Sequence, residues 1–457
     1  MKFDSIKFIE ELISFKSVST NKDCDLHTAS CADFLNDFFA SKEFESKIVK
    51  TEKHPIVFAQ KNCNGKAKAR LLCYGHYDVQ PEHPLSKWNS DPFKATIKHN
   101  KIYGRGSADN KGPFTCLIAG FLNFIEKHPD ANLDIAFLLE GEEEISSPSM
   151  SKFLKDFSKE LSTYDAVLLS DTMSPSSNQI VINTGVRGMV AFDAKFKGPK
   201  EDLHSGLFGG AIYNPIQAMT EVCASLHNKD GLVNIPHFYD DVLPVFQWEK
   251  DEIEKFPISE NQMLKNLEVK KLYSQADVKF KEATRLYPTL EFNGIGGGYE
   301  DPGCKTIIPS ECFCKISCRL VANQDAEKIK KLVQEEMLKR CPESVELTFE
   351  NHDSSAKYYF VIPPTKVENS PESPLKKLFE CADKSVKESF GTAPLYLRDG
   401  GSISLIAQIH DATNLDCLMT GLFTPEDNLH APNESFSLEM LEKGSLFYEL
   451  LFEKISK

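Results

Sequence analysis

Three short apolar runs, Arg70–Tyr74, Leu133–Leu139 and Ala166–Leu169, each lead straight into ionisable residues, and this pattern constrains the fold more than any other. The runs are rich in Leu, Ile, Val and Ala and are bounded by polar loops. Between them lie helical stretches such as Gly112–Lys127, where Leu117, Phe121, Phe124 and Ile125 share one face. Strands alternating with helices over about the first 185 residues predict an α/β fold, a largely parallel mixed sheet covered by helices. The strands run into GHYD, EGEEE and SDT, and a fourth candidate, Leu415–Thr420, leads into a loop holding His430. Ligand sites in such sheets lie beyond the carboxyl ends of the strands. Four strands that deliver His and carboxylates there predict one convergent site.

From about Gly188 the pattern changes. Met189–Lys197 and Glu311–Val321 alternate like half-exposed strands, Asn214–Leu226 and Ala326–Lys339 read as helices, and a further strand falls near Ser344–Phe349. That succession describes a smaller α+β domain with one open sheet face. Lys250–Lys281 reads as a charged, mostly helical surface elaboration, and the helical Pro374–Glu388 leads back to the Leu415 strand. A chain of 457 residues is too long for one ordinary core. The expected layout is a catalytic domain in two parts, 1–187 and 371–457, with an inserted lid and dimerisation domain, 188–370.

A net charge of −14 argues against a general nucleic-acid binder, which needs a basic surface to replace phosphate counterions. No apolar run approaches the roughly 20 residues of a membrane span. At the N-terminus Phe3, Ile6, Ile9, Leu12 and Ile13 recur at helical spacing, which predicts an amphipathic helix instead of a signal peptide and a cytoplasmic location. Thirteen cysteines without a secretion signal read as reduced thiols. Cys304, Cys312, Cys314 and Cys318 raise the question of zinc, but paired CxxC knuckles are missing. Cys312, Cys314 and Cys318 alternate with polar residues, as small hydrophobes on the buried face of a strand do.

Several clusters carry chemistry. His76 and Asp78, one residue apart past a buried strand, suit a ligand and its supporting carboxylate, or a histidine with Asp78 turned to another part of the site. Asp109 lies in the glycine-rich YGRGSADNKG, where it is a candidate ligand or simply a helix cap. Glu140, Glu142, Glu143 and Glu144 crowd one strand end, either as a solvated acidic turn or as a group whose repulsion a cation relieves. In the second case one carboxylate ligates while a neighbour is general base, and spacing does not choose among Glu142, Glu143 and Glu144. Asp171 and His430 add a further carboxylate and imidazole. Two histidines with three carboxylates suit Zn²⁺, with Mn²⁺ or Co²⁺ open to so oxygen-rich a set.

GHYDVQP at 75–81, W-x-x-D-P-F at 88–93, YGRGSADNKGP at 103–113, LEGEEE at 139–144, SD at 170–171, DLHSG at 202–206 and DNLHAPNE further on form an ordered set. Together, over nearly the whole chain, they resemble the M20 metallopeptidases, and DVQP with W-x-x-D-P-F is similar to the carnosinase-like dipeptidase branch. The resemblance implies two divalent metal ions. His76 and Asp171 would hold one, Glu144 and His430 the other, and Asp109 would bridge them. It implies Glu143 as general base and Asp78 as support near the first histidine. It implies His204 as the group that polarises the scissile carbonyl, often from the neighbouring subunit of a homodimer paired through the lid, and Arg319 as the clamp on the substrate's free carboxylate. Thr306 and Ser402, beside Gly400 and Gly401, would be further substrate contacts.

The implied reaction is hydrolysis of dipeptides or short peptides, with N-acyl-amino-acid deacylation or desuccinylation as the rival and a non-catalytic binding relative as the alternative of another class. The chain departs from the branch in LRDGGS, where a glutamate usually precedes the glycines, in DNLHAPNE, where some members carry a serine after the histidine, and in the extra acid Glu142.

Overall fold

The computed structural model describes residues 3–273, 275, 278–352 and 355–457. Its larger sheet runs in the order Glu45–Val49, Ile56–Lys61, Leu133–Glu140, Ala69–His76, Ala166–Met173, Cys417–Phe423, Val181–Val186 and Tyr359–Phe360, with Leu395–Arg398 also paired to Val181–Val186. The four central strands are parallel, whereas the pairings at the edges include antiparallel ones. The sheet is therefore mixed, with a parallel centre that carries the site residues and one further parallel pair, Leu395–Arg398 with Val181–Val186, away from them. These central strands are buried almost throughout, which explains why they read as continuous apolar runs.

Gly112–Lys127, Pro374–Phe390 and Leu438–Ile455 are helices against this sheet, and Phe114, Phe121, Phe379, Phe447 and Phe452 are buried in its core. The first helix, Ser5–Ser14, is capped by the Asp4 side chain and buries Phe8, Ile9, Leu12 and Ile13. Its last carbonyls face inward. Leu12 and Phe15 accept hydrogen bonds from the buried Lys111 ammonium at 2.8 and 3.2 Å, and Ser17 Oγ accepts a third at 3.0 Å. The amphipathic N-terminus is thereby tied to the loop that carries Asp109.

A second, antiparallel sheet takes the order Thr289–Gly297, Glu311–Leu320, Gly188–Lys197, Glu346–Asn351. Helices Pro215–Ser225 and Ala326–Arg340 cover one face, on which Cys312, Cys314, Ile316 and Cys318 are buried. The cysteines are thus core residues, and Cys304 is exposed. Thr289–Gly297 is an additional strand that the hydropathy pattern did not reveal. Gly294, Gly296 and Gly297 interrupt its alternation, and the pairing shifts register between Phe292 and Gly294.

The segment Lys250–Lys281 is helical in part, and its residues 274, 276 and 277 lie outside those described. It is more than a surface elaboration. Ile253 and Phe256 are buried with Val181, Leu395 and Leu397 of the large sheet. Beside them Arg398 donates to the two carboxylate oxygens of Glu249 at 2.6 and 2.9 Å, and its guanidinium lies 4.0 Å from the Phe360 ring centre. Both charged side chains are almost wholly buried, so removing one strands the other. Arg398→Met is expected to lower the unfolding free energy by about 3 kcal/mol, seen as an earlier urea midpoint at unchanged slope. A midpoint equal to that of the parent chain would refute a structural role for the pair.

Candidate metal centre

The strand Ala69–His76 ends on His76, in register with Glu140 at the end of the next strand, and Asp171 lies near the end of the strand on the other side. His430 follows Cys417–Phe423 and takes a left-handed backbone conformation, φ 57°. Asp109 lies in the short helical turn Ser107–Lys111 with non-helical φ/ψ and is joined to Asn110 by a cis peptide.

These five side chains converge. His76 Nε2 is 3.0 Å from Asp109 Oδ1 and 3.6 Å from Asp171 Oδ2. His430 Nε2 is 2.8 Å from Asp109 Oδ2 and 3.5 Å from Glu144 Oε2. Two groups of possible ligand atoms result, His76–Asp109–Asp171 and Asp109–Glu144–His430, each within 4.8 Å. Asp109 belongs to both, one oxygen turned to each histidine. Histidine nitrogens and carboxylate oxygens gathered in this way can hold divalent metal ions.

The electrostatics point the same way as the geometry. Burial, reinforced by the charge of Asp109, pushes Glu144 up to about 10. Burial also pushes Glu143 well above the carboxylate range, with Asp171, Asp109 and Asp78 adding to the shift and His76 opposing it. Asp171 is raised by burial, against its hydrogen bond to His76. Asp109 alone moves down, because hydrogen bonds with His430 and His76 outweigh its burial. So many crowded carboxylates are costly as anions without a positive charge among them.

The four acids at and just beyond the end of the strand Leu133–Glu140 have separate fates. Glu140 accepts from Tyr74 Oη at 2.8 Å and Ser147 Oγ at 2.9 Å, and burial followed by the charge of Asp78 pushes it up to about 8. Glu142, the additional acid, is a structural brace. It accepts from Thr51 Oγ1, the His54 and Ser149 backbone N–H groups and Ser149 Oγ. Glu144 accepts from Gln80 Nε2 at 2.7 Å and faces His430. The Glu143 carboxylate makes no hydrogen bond among the described residues. The sequence left these acids interchangeable, and their partners distinguish them.

Asp78 serves both purposes open to it. It lies 3.4 Å from His76 Nδ1, and its two oxygens accept the Glu143 and Glu144 N–H groups at 3.2 and 3.1 Å. His76 Nδ1 also lies 3.2 Å from the Asp78 carbonyl. A proton held on Nδ1 by these oxygens leaves the Nε2 lone pair facing Asp109 and Asp171.

Sequence reasoning missed what holds Asp109. The fully buried Glu434 accepts the Gly106, Ala108 and Asp109 N–H groups at 2.8, 2.8 and 3.0 Å, and pairs with Arg105 Nη1 at 2.9 Å. Arg105 also donates to the Pro81 carbonyl and lies over the Trp88 ring. Asn110 Nδ2 donates to the Ser170 carbonyl and to Asp171 Oδ1, both at 2.9 Å. Glu434 stands four residues beyond His430, but no local spacing links it to a loop 325 positions earlier.

The remaining predicted residues lie elsewhere. His204 is exposed, its Nδ1 accepting the Gly206 N–H at 3.0 Å, and the Ser205 N–H donates to the Thr306 carbonyl at 3.0 Å. Arg319 Nη1 donates to Ser402 Oγ at 2.8 Å. No hydrogen bond or ion pair among the described residues joins His204, Thr306, Arg319 or Ser402 to the convergent five.

Comparison with known proteins agrees with this geometry. Residues 72–454 match the model of peptidase family M20/M25/M40. The chain is 28% identical over 411 residues to the Beta-Ala-His dipeptidase of Rattus norvegicus, which covers 88% of this chain and 80% of the relative. It is 28% identical over 400 residues to the Cys-Gly metallodipeptidase dug1 of Schizosaccharomyces pombe, with 85% and 80% covered. The M20 family metallo-carboxypeptidase Sso-CP2 of Sulfolobus solfataricus superposes with a TM-score of 0.82 at 28% identity over 99% of both chains. The human carnosine dipeptidase 1 structure, at 22% identity, shares the fold with a TM-score of 0.78 over 99% of this chain and 96% of that one. A match over most of its length shows that the chain belongs to peptidase family M20/M25/M40 and is a metallopeptidase hydrolase.

Proposed function

We propose that the chain hydrolyses the peptide bond of dipeptides or short peptides that carry a free C-terminal carboxylate. The observation that carries this reading is the pair of ligand groups sharing Asp109, beside a Glu143 carboxylate that makes no hydrogen bond among the described residues. The names of the rat and fission-yeast relatives, dipeptidases for Beta-Ala-His and Cys-Gly, support it.

In this reading His76, Asp109 and Asp171 hold one divalent ion and Asp109, Glu144 and His430 a second, with Zn²⁺ favoured and Mn²⁺ or Co²⁺ as alternatives. When bound, such ions polarise the scissile carbonyl and acidify water. Glu143 takes the proton of the attacking water as the new C–O bond forms, then delivers it to the leaving amine nitrogen as the C–N bond breaks. Asp78 fixes the backbone of Glu143 and Glu144 throughout. His204, from the neighbouring subunit of a lid-paired homodimer, donates to the developing oxyanion. Arg319, with Thr306 and Ser402, receives the carboxylate, which a guanidinium fork suits. No hydrogen bond or ion pair among the described residues joins these groups to the convergent five, and closure of the smaller domain would bring them onto the substrate. We place the protein in the cytoplasm. No helix of the described residues is long and apolar enough to cross a membrane.

The test is hydrolysis of a mixed dipeptide panel by metal-stripped protein with Zn²⁺ or Mn²⁺ added back. Release of free amino acids only with metal supports the proposal. Turnover of N-acyl-amino acids but no dipeptide would replace it with deacylation, and inertness toward both classes would leave a binding function.

A further inference from the structure

Three half-buried guanidiniums gather where the smaller sheet meets the larger one. Arg319 lies at the end of its strand, paired with Met189 on one side and Thr289 on the other. Arg187 immediately precedes the first of these partner strands and Arg285 the second, by four residues, so the topology brings all three to one end of the sheet. The loop Asp399–Ser402 meets them there. Arg187 donates through Nε to the Gly400 carbonyl at 2.8 Å and through its backbone N–H to the Gly401 carbonyl at 2.9 Å. Arg319 donates to Ser402, and Arg285 Nη1 to Thr284 Oγ1 at 3.1 Å. The Thr284 carbonyl lies so near Gly400 that a Cβ there would meet it at 2.5 Å, with Arg187 Nη2 at 3.5 Å.

The cluster has an excess of positive charge. Each guanidinium offers five N–H donors, yet each makes one side-chain hydrogen bond among the described residues. None forms an ion pair there, although the buried Arg398 next to the loop is fully paired with Glu249. Asp399 is an acid of the same loop, and its Oδ1 already accepts the Gly401 N–H at 2.8 Å; Glu291 is exposed. Burial and then the neighbouring Arg319 charge push Arg187 down to about 10, against the opposing charges of Asp399 and Glu291. One α-carboxylate occupies one fork. The remaining donors call for a second anion.

We infer that Arg187 and Arg285, beside Arg319, form a second carboxylate subsite, and that the preferred substrates end in an acidic residue, Asp or Glu. This rests on the assignment of Arg319 to the terminal carboxylate. The same chemistry is presented by an X-Glu dipeptide and by an N-acyl-glutamate.

The metal-loaded full chain should be assayed with Ala-Glu and its isostere Ala-Gln, and with N-acetyl-Glu and N-acetyl-Gln. The expected result is a KM at least about tenfold lower for the acidic member of the pair. R285Q should shrink that ratio at least about fivefold, and R285K should restore part of it, which a merely structural loss would not do. Equal KM values for acid and amide, or a ratio unmoved by R285Q, would overturn the inference. Dipeptide turnover without acid preference would discard the subsite and keep the dipeptidase. Acid preference seen only with the acetyl pair would keep the subsite and discard the dipeptidase. Calorimetric titration with L-glutamate and L-glutamine decides the matter without turnover, since equal affinities would again remove the subsite.

Discussion

Glu143→Gln is expected to lower kcat by about a thousandfold or more while leaving the metal content close to that of the parent protein. The substitution keeps the size of the side chain and removes only its capacity to take a proton. It disturbs little else, because the carboxylate has no hydrogen-bond partner among the described residues and the backbone N–H on Asp78 remains. Glu142→Gln is the informative control. Its carboxylate braces Thr51, His54 and Ser149, so the loss should fall on thermal stability before it falls on the chemical step. Assay of both variants alongside elemental analysis separates the two roles. A Glu143→Gln protein that retains a tenth of parental kcat would remove Glu143 as the base.

Asp109→Ala is expected to abolish turnover through loss of metal, with less than about half the parental content retained after dialysis. One carboxylate faces both His76 and His430, so its removal takes an oxygen from both ligand groups at once. Glu434→Gln tests the same loop one step removed. Gln keeps one acceptor oxygen but forfeits the charge that pairs with Arg105 and serves three backbone N–H groups. Metal affinity should weaken by about 10- to 100-fold, with activity recovering at high metal concentration. Recovery would mark Glu434 as a positioning residue. Full metal occupancy in Asp109→Ala would contradict the shared-carboxylate assignment.

The elements nearest the centre were the most legible in the sequence. Gly112–Lys127 is a helix over the predicted span, and the apolar runs before GHYD, EGEEE and SDT are the parallel strands that carry His76, Glu140 and Asp171. Their burial on both faces writes continuous apolar residues into the chain, and a strand end next to polar chemistry is a local signal. The strand Thr289–Gly297 was illegible because glycines replace the side chains that would have alternated. The antiparallel edges were hidden for another reason, since pairing direction depends on where a distant strand returns.

The sequence by itself determined which residue types meet, because motif order and strand-end placement are local properties, and these already indicated a two-histidine, multi-carboxylate centre. The tertiary structure decided what each acid does. Glu140, Glu142, Glu143 and Glu144 are chemically alike and nearly adjacent, and they differ in the donors that the fold brings to them: Tyr74 to Glu140, Thr51 to Glu142, Gln80 to Glu144, and none among the described residues to the Glu143 carboxylate. Likewise Glu434 became the clamp on Asp109 only when folding closed the 325 positions between them. A carboxylate's role follows from its hydrogen-bond partners and its burial, and both are properties of the packed chain.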